Sequence, residues 1–588
     1  MARASLKLRR GRPAILLGFA LAVWLALYFF PAVPPPFAAP DDPDATRRAV
    51  GAIHVHSRYS DGAGDLSAIS SAARRAGLEF YVVTDHNNLD GLSREGEGYE
   101  DGVLRLIGAE LSTGGGHVLA LDVPDPAFRF SGDPLDALAD VRDLGGFAVV
   151  AHPFSTRAEF AWTDFELPGI SGIEVFNFDS AWRRRDFVQP LAALLYPVFP
   201  ARALAPNLAW DPGALETWDR LHDRRGRVSG WAGADAHGHV RIGGRSVLEW
   251  PRYEDVLAGA RNHLILRDPL TGDVPHDRAL VLEALREGRG YVSLDGLADG
   301  SRFTFSAESA SEHVPMGAWV DSREKLRFTA RVEAPPGTRL RLLRDGVSFR
   351  DEESLLIDVE APGPGIYRAE AWLAPRFVPA RRHQPWIVSN PIYVLPREEM
   401  ERRTRASETF PAPVTSAGLD CEELGTEKLP IALHAEHDAA STMDEEAARS
   451  GGASFRLSFE LSRPEADRPY VWCAVADRTR RDLSGFVALR FRVKADGVYR
   501  VAVQVRDGNP RGPAEGTEWW EKSFKTGADG QEIVLPFDHF RSKLAASDGK
   551  LDLGDVRGTF FILDSGNTRP RVKGVIDVEG LAFCRPVP

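Results

Sequence analysis

Apolar and polar positions alternate in two different ways along the chain. Between residues 49 and 300, short apolar runs such as "FYVVTD", "FAVVAHP" and "ISGIEVFNF" are separated by stretches with helical spacing, such as "LSAISSAARRAGL". The short runs predict buried strands, and the helical stretch ends near a glycine. Alternating strands and helices predict an α/β domain over 49–300, and a barrel matches its length.

After residue 300 the pattern changes to a period of two, which is typical of antiparallel strands. Runs such as "KLRFTARVEA" and "GIYRAEAWLA" predict a small β-sandwich over 301–397. The segment 398–418 is charged and then rich in proline, so it is predicted to be a linker. Strands such as "ASFRLSFEL" and "YRVAVQVRD" predict a C-terminal jelly-roll β domain over 419–588.

The N-terminus carries a third pattern, because the basic residues 1–13 precede an uncharged apolar run. Region 14–33 is predicted to be a transmembrane anchor or a signal sequence, with a cytoplasmic tail before it and a Pro-rich linker over 34–48. We favour the anchor because no clean cleavage motif follows. The protein is therefore expected to be membrane-anchored and extracytoplasmic (periplasmic or at the cell surface), or secreted if the segment is cleaved.

Composition limits the kinds of partner that the protein is expected to bind. The 588 residues are 43% hydrophobic, and 72 Lys and Arg against 84 Asp and Glu give a formal charge of −12. This mildly acidic composition offers no basic face, so no nucleic acid partner is expected. Cys421 and Cys584 bracket the C-terminal domain and are either paired or, like Cys473, buried thiols.

Histidines and carboxylates recur where the predicted strands of the α/β domain begin or end. They are His54, His56, Asp61, Asp85, His86, Glu110, His117, His152, Glu174, Asp235 and His237. In an α/β barrel the carboxyl ends of the strands converge, so these distant residues are predicted to meet in one cup. Each motif alone has an ordinary explanation as a turn or strand end, but their joint occurrence favours a metal site. Imidazole and carboxylate ligands without cysteine suit Zn, Mn or Fe.

The motifs "HVHSRYSDG", "VVTDHN", "GAE", "AHP" and "GADAHG", in this order, resemble the PHP superfamily, named for polymerase and histidinol phosphatase. The resemblance covers residues 49–300. It implies a distorted (β/α)7 barrel with up to three metal ions in its mouth. It also implies hydrolysis of a small-molecule phosphoester or ester.

Carried over position by position, the resemblance assigns ligands to these ions. A first ion would be held by His54, His56, Glu110 and Asp235. A second ion, bridged by Glu110, would be held by His117 and His152. A third ion would be held by Asp61, His86 and His237, with Asp235 near it. A histidine often stands where this chain has Asp61, and an aspartate there suggests fewer or harder ions, so two or three divalent ions are expected.

Two further stretches, "WDRL…GWAGADAHG" at 218–238 and "WIVSNPIYV" at 386–394, resemble the carbaryl-hydrolase-type metallohydrolases of this superfamily. This second resemblance implies carboxylester or carbamate hydrolysis as an alternative to phosphoester hydrolysis.

The expected mechanism uses a water molecule whose pKa the metal ions lower, which produces hydroxide near neutral pH. Asp85 and Glu174 are candidates to orient ligand histidines. Arg241 or Arg245 is a candidate clamp for an anionic group of the substrate, and His239 a candidate proton donor to the leaving group. Turn carboxylates, surface arginines and a loop histidine are the respective alternatives.

The C-terminal domain resembles galactose-binding-like or carbohydrate-binding jelly rolls. Trp519 and Trp520 in "EWWEKSF" are adjacent on a predicted strand, so only one of them can face a sugar and the other is expected in the core. The sequence thus predicts an exported metal-dependent hydrolase. The alternative is a catalytically silent, membrane-anchored protein that binds glycans or cell-wall polymers.

Overall fold

The computed structural model describes residues 45–184, 196, 200–211, 213–242, 245–248, 250–310, 312–335, 337–373, 384–439, 441–443, 452–465, 468, 470–509, 516–542 and 547–587. The predicted anchor 14–33 lies outside this part of the chain. Within the described residues, no helix is both long and apolar enough to cross a bilayer. The chain forms two compact units, one comprising Met1–Val123 with Gly132–Thr409, the other Pro124–Ser131 with Phe410–Pro588.

The first unit is built around a closed barrel. Its first strands are β1 (Arg48–Val55), β2 (Phe80–His86), β3 (Gly98–Glu100), β4 (Val103–Thr113), β5 (Gly116–Leu121), β6 (Phe147–Val150), β7 (Ile170–Asn177) and β8 (Ser229–Ala236). Seven of them follow the order β1-β2-β4-β5-β6-β7-β8, and β8 pairs back onto β1. Neighbours are parallel, except that β5 runs antiparallel to β4 and β6.

Helices do not follow every strand of the barrel, as a regular (β/α)7 barrel requires: within the described residues, none lies between β4 and β5 or between β6 and β7. The α-helices are α1 (Leu66–Arg75), α2 (Asp90–Arg94), α3 (Pro134–Asp143), α4 (Phe178–Arg183), α5 (Pro200–Leu204), α6 (Ala214–Arg224), α7 (Tyr253–Leu257), α8 (Val274–Glu287) and α9 (Arg397–Glu408). Short 3-10 helices lie at Ala45–Arg47, Ala205–Asn207, Phe537–His539 and Leu553–Asp555. The multidomain organisation with a seven-stranded barrel is confirmed, but regular strand–helix alternation is not, because a tight hairpin rather than a helix joins β4 to β5.

Apolar side chains fill the barrel below the predicted cup. One cluster joins residues from strands all around the barrel with α8, including Ile53, Phe80, Leu104, Leu119, Val149, Trp231 and Leu285. Because this cluster occupies the interior, polar side chains at the carboxyl ends of the strands lie above a packed floor.

The barrel sheet continues into the predicted β-sandwich. The next strands are β9 (Val240–Ile242), β10 (Arg245–Leu248), β11 (Arg261–Ile265), β12 (Gly290–Ser293), β13 (Phe303–Glu308), β14 (His313–Pro315), β15 (Trp319–Asp321), β16 (Arg327–Val332), β17 (Arg339–Arg344), β18 (Val347–Glu352), β19 (Leu356–Glu360), β20 (Gly365–Leu373), β21 (Gln384–Ser389) and β22 (Ile392–Leu395). From β1 the sheet runs through β11, β12 and β21 to β20, β22 and β15. A second sheet, β14-β13-β16-β19, packs on this extension, with the ring of Phe328 4.4 Å from that of Tyr367.

Helix α9 occupies the start of the segment 398–418 that was predicted to be a linker. Met400 is buried in it, and Ser407 bonds to the backbone N–H of Gly226 (3.0 Å) and, through its own carbonyl, to that of Gly169 (2.8 Å). The charged composition suggested a linker because the other face of this helix is exposed.

The second unit is an antiparallel two-sheet sandwich, as predicted for the C-terminal domain. Its strands are β23 (Leu419–Glu423), β24 (Leu433–His437), β25 (Thr442–Met443), β26 (Phe455–Glu460), β27 (Trp472–Asp477), β28 (Ala488–Ala495), β29 (Arg500–Gly508), β30 (Thr517–Lys525), β31 (Gln531–Pro536), β32 (Arg541–Ser542), β33 (Val556–Asp564) and β34 (Lys573–Pro586). One sheet contains β23, β25, β26, β34, β28 and β31, the other β24, β27, β33, β29, β30 and β32.

Two expectations for this unit are resolved. Trp520 packs in the core while Trp519 lies on the opposite face of β30, as the alternation of strand side chains requires. Of the two alternatives for the cysteines, the structure shows a disulfide between Cys421 and Cys584, which are paired residues on β23 and β34. Cys473 is a buried free thiol.

Breaking this disulfide is expected to destabilise the second unit. The bond closes a loop with a sequence separation of 163, and bonds that close such long loops contribute about 2–5 kcal/mol, mainly by restricting the unfolded chain. Calorimetry should show a lower unfolding temperature for this unit in the Cys421→Ser, Cys584→Ser double variant, equal to that of the reduced wild type. A Cys473→Ala control should keep its sensitivity to reductant. A wild-type unfolding temperature that is the same with and without reductant would contradict the expectation.

Candidate metal centre

The register of β1 places His54 and His56 inside the barrel. Consecutive residues of a regular strand face opposite sides, yet Ile53 packs in the interior cluster and His54 also points inward. The pairing of β1 with both β2 and β8 shifts register around His54, whose φ is +67°. The irregularity reverses the alternation, so that the two histidines follow Ile53 on the same side.

The carboxylate of Glu110 lies at the centre of the site. Its Oε2 is 3.2 Å from Nε2 of His54, 3.2 Å from Nε2 of His56 and 3.1 Å from Nδ1 of His86. Its Oε1 is 2.7 Å from Nδ1 of His117 and 2.8 Å from Nε2 of His152. Glu110 is 1% exposed, so these five imidazoles replace water around its charge.

Two aspartates extend the site from β8 and from the loop after β1. Oδ1 of Asp235 is 3.5 Å from Nε2 of His54 and 3.3 Å from Nε2 of His56. Oδ1 of Asp61 is 3.3 Å from Nε2 of His237 and 3.7 Å from Nε2 of His86. The ring of His56 stacks on that of His237, with centroids 4.3 Å apart.

The structure brings together all of the side chains that the sequence predicted as metal ligands. Four overlapping groups have ligand atoms within 4.8 Å of one another: His54, His56 and Glu110; His54, His152 and Asp235; His86, Glu110 and His117; and His56, Asp61, His86 and His237. These groups overlap the three ligand sets that the family resemblance implies.

Three of these residues have a left-handed backbone. His54, His152 and Asp235 have φ of +67°, +28° and +47°, and together they form one of the four groups. A non-glycine residue held in this region costs of order 1–3 kcal/mol and persists where its surroundings enforce it. The backbone strain is concentrated where side chains from β1, β6 and β8 meet.

Glu174 on β7 fixes two of the strained residues. Its Oε1 is 2.7 Å from Nδ1 of His54, and its Oε2 accepts the backbone N–H of His152 at 2.6 Å. Gly233 on β8 leaves room for this carboxylate, because a Cβ there would lie 1.9 Å from Oε1. Because Nδ1 of His54 faces Glu174, Nε2 is the nitrogen that faces Glu110 and Asp235 and would be available to a metal ion.

Asp85 anchors the loop after β1 rather than contacting a histidine directly. It accepts hydrogen bonds from the backbone N–H of Ser57 (2.8 Å), the hydroxyl of Ser57 (2.6 Å) and the hydroxyl of Ser60 (2.5 Å). The Ser60 hydroxyl lies 3.5 Å from Nδ1 of His56. Asp85 therefore acts on His56 through the position of Ser60.

Several buried atoms of this cluster have no hydrogen-bond partner within the described part of the chain. They are His54 Nε2, His56 Nε2, Asp61 Oδ1, His86 Nδ1, Glu110 Oε2 and His152 Nδ1. A buried polar atom left without a partner costs free energy, and lone pairs of imidazole and carboxylate that face one point are a ligand set for a divalent cation. The residues therefore fit the metal ions that the motifs imply.

The electrostatics of the site also favour positive charge. Burial lowers the pKa of His56, but the adjacent carboxylates of Asp235 and Glu110 outweigh burial and raise that pKa to about 10. Burial also acts to lower the pKa of His54 and of His152, but the neighbouring carboxylates outweigh burial, so both pKa values are raised. Conversely, burial would raise the pKa of Glu110, but the surrounding histidines hold it well below its usual range. The cluster stabilises protons where cations would bind.

A cavity of about 360 Å³ opens above the cluster. His239, the candidate proton donor, lies in its lining. The side chains of Arg241 and Arg245, the candidate anion clamp, lie outside the described residues. Arg157 and Arg183 line the cavity instead, and sequence reasoning missed both. The signal was present for Arg157, which follows His152 in the loop after β6, at the same strand end that supplied the ligands.

Comparisons with known proteins give partial matches. No family model matches the chain. An uncharacterized protein from Methanocaldococcus jannaschii is 26% identical over 156 residues, which is 24% of this chain and 86% of that protein. An error-prone DNA polymerase from Symbiobacterium thermophilum is 38% identical over 77 residues, 13% of this chain and 7% of the polymerase.

Two solved structures are similar to separate parts of the chain. A two-domain protein containing a predicted PHP-like metal-dependent phosphoesterase, from Bacteroides vulgatus, aligns with 57% of this chain and 94% of its own, at 15% identity and a TM-score of 0.30. A family 11 carbohydrate-binding module from Clostridium thermocellum, in complex with a mixed-linked tetrasaccharide, aligns with 29% of this chain and 97% of its own, at 15% identity and a TM-score of 0.22.

Proposed function

We propose that the protein is a metal-dependent hydrolase of the PHP type that cleaves phosphoesters. One observation carries this proposal: buried lone pairs from His54, His56 and Glu110 face one point and lack partners within the described residues. Nε2 of each histidine lies 3.2 Å from Oε2 of Glu110 without a hydrogen bond between them, and a bound divalent cation would satisfy all three atoms.

Different residues of the chain would hold the metal ions, orient the ligands and donate a proton. His54, His56, Glu110 and Asp235 would hold one ion, His117 and His152 a second through Glu110, and Asp61, His86 and His237 a third. When bound, divalent cations supply Lewis-acid chemistry that polarises a phosphoryl oxygen and makes water a better nucleophile. Glu174 holds the His54 ring and the His152 backbone, and His239 stands in the cavity where it can pass a proton to the leaving group.

Three further features of the proposal rest on other observations. Membership of the carbaryl-hydrolase-type subgroup would make a carboxylester or carbamate the substrate, and it rests on the stretches at 218–238 and 386–394. Tethering to the outer side of a membrane rests on the apolar run within 14–33. Carbohydrate binding by the second unit rests on the resemblance of its sequence to carbohydrate-binding jelly rolls and on Trp519, which lies on the half-buried face of β30 with the guanidinium of Arg506 4.6 Å from its ring.

Replacing His54 and His56 by alanine together is expected to abolish chelator-sensitive turnover. The substitutions remove two ligand nitrogens, so the bound Mn²⁺ or Zn²⁺ should also be lost, which elemental analysis measures. The turnover panel compares an aryl phosphate monoester, a phosphodiester, a carboxylester and a carbamate. Full activity in a variant with native circular dichroism would overturn the proposed metal centre. Absence of turnover of all four esters by the metal-loaded wild type would favour the silent, glycan-binding alternative.

Metal binding is expected to release protons at pH 7. The pKa of His56, raised to about 10, keeps this ring protonated at pH 7 in the metal-free protein, and a cation requires the neutral imidazole. The neighbouring carboxylates also raise the pKa of His54 and of His152. The number of protons released on metal binding should fall only as the pH approaches the pKa of His56, about 10. Titration calorimetry in two buffers of different ionisation enthalpy measures the proton count. A binding enthalpy that does not depend on the buffer would contradict this expectation.

Gly233→Ala is expected to weaken metal binding without touching a ligand. The added Cβ would collide with Glu174 and displace it from His54 and His152, and losing such support costs about 10–100-fold in metal affinity or activity. Glu174→Ala should lower metal affinity as much as Gly233→Ala does. The affinity of Glu174→Gln should lie between those of the wild type and Glu174→Ala, because the amide oxygen still accepts a hydrogen bond.

Gly132→Ala serves as the matched control, since a Cβ at Gly132 meets nothing within 4 Å. Equal metal affinity in the Gly132→Ala and Gly233→Ala variants would show that Glu174 does not support the site.

A further inference from the structure

One side of the cavity carries positive charge. Arg157 and Arg183 both line it and share one carboxylate, Asp179. Nη2 of Arg157 is 3.5 Å from Oδ2 of Asp179, and Nε of Arg183 bonds to the same oxygen. Two guanidinium groups against one carboxylate leave a net positive charge. In addition, the buried Nε of Arg157 has no hydrogen-bond partner in the described part of the chain.

A single aromatic ring separates this charge from the histidines. The guanidinium of Arg157 lies 3.8 Å over the ring of Phe160, and that ring packs edge-on against His117 with centroids 4.8 Å apart. His152 and Arg157 both lie in the loop after β6, and both line the same cavity. A group bound on the cluster therefore has the arginines beside it.

Another part of the cavity lining is apolar. Trp182 and Trp250 meet at 83° with ring centroids 4.7 Å apart, and Phe178, Pro251 and Val256 complete this wall. A cavity of about 360 Å³ is at the small end of the range for small-molecule sites. It suits one compact apolar or aromatic group next to one charged group.

We infer that the substrate is a phosphomonoester of a compact apolar or aromatic alcohol, an inference that rests on the proposed hydrolase function. Arg157 and Arg183 bind the phosphoryl oxygens that face away from the histidines, and Trp182 and Trp250 contact the alcohol part. Arginine suits this role because its planar donors match phosphate oxygens. A neutral carboxylester or carbamate gives the two arginines no charge to bind.

The reaction assigned to this substrate is simple hydrolysis. The oxygen of water forms a bond to phosphorus, and the bond between phosphorus and the ester oxygen breaks. The alcohol leaves with a proton that comes from the water, and the other product is inorganic phosphate.

The first test measures binding of phenylphosphonate, an aryl dianion without a scissile ester, by titration calorimetry on the full chain. Arg157→Gln and Arg183→Gln should each weaken binding about tenfold, which corresponds to the loss of one charge-assisted contact. The lysine variants at the same positions should fall between, since lysine keeps the charge without the planar fork. Arg224→Gln is the matched control, because Arg224 is exposed and pairs with Glu166 away from the cavity.

The second test compares an aryl phosphate with the acetate of the same aryl alcohol. The glutamine variants should raise KM for the phosphate about tenfold and change KM for the acetate less than about twofold. Unchanged phenylphosphonate affinity in the double glutamine variant would overturn the inference, as would equal effects on both esters.

The two proposals fail in different ways. Chelator-sensitive turnover of the acetate but not of the phosphate would overturn the phosphomonoester inference and leave a metal-dependent hydrolase. Arginine-dependent binding of phenylphosphonate without chelator-sensitive turnover of any ester would overturn the hydrolase proposal and leave the anion site in place.

Discussion

The rest of the centre depends on one buried carboxylate, Glu110, and on the positive charge that it requires. A carboxylate that is 1% exposed has lost its water, and five imidazole nitrogens within 3.2 Å of its oxygens replace that water. Such a group is stable only when cationic partners surround it, whether protonated histidines or metal ions. This requirement explains why strands β1, β2, β5 and the end of β6 all direct imidazoles to one point. It also makes removal of any one partner costly for those that remain.

The barrel holds this arrangement against local strain. His54, His152 and Asp235 adopt left-handed backbone conformations that cost of order 1–3 kcal/mol each, and Glu174 restrains two of them from β7. Relaxing His54 to a regular extended conformation would restore the alternation after Ile53 and turn the ring away from Glu110. A barrel that had lost catalysis would gain stability by such relaxation. The strain thus weighs against the silent-binding alternative, which the sequence had left open.

Local pattern predicted the parts of this structure that local chemistry decides. Strand-end residues such as His86 and Glu110 could be grouped because parallel strands end at the same mouth. Alternation along β30 predicted that Trp519 and Trp520 face opposite sides, and the structure shows that Trp520 is the one in the core. Long-range pairing was beyond such reasoning. Nothing in "GAELSTGGGHVLAL" reveals that β5 runs antiparallel, and the pairing of β12 with β21 joins barrel and sandwich across a predicted boundary at 300. The disulfide was one of two alternatives because spacing alone does not fix which strands are adjacent.

The charge balance of the cavity argues for one class of ester over the others. Cations on the cluster would offset Glu110, Asp235 and Asp61, and the arginines beyond Phe160 outnumber the one carboxylate between them. Without substrate, Asp179 holds both guanidinium groups in place, which reduces the ordering needed on binding. A dianionic phosphoryl group is attracted by both sides at once, whereas a neutral carbonyl is attracted only where the cations bind. Since low-dielectric walls such as Trp182 and Trp250 strengthen charge interactions, this difference favours the phosphomonoester.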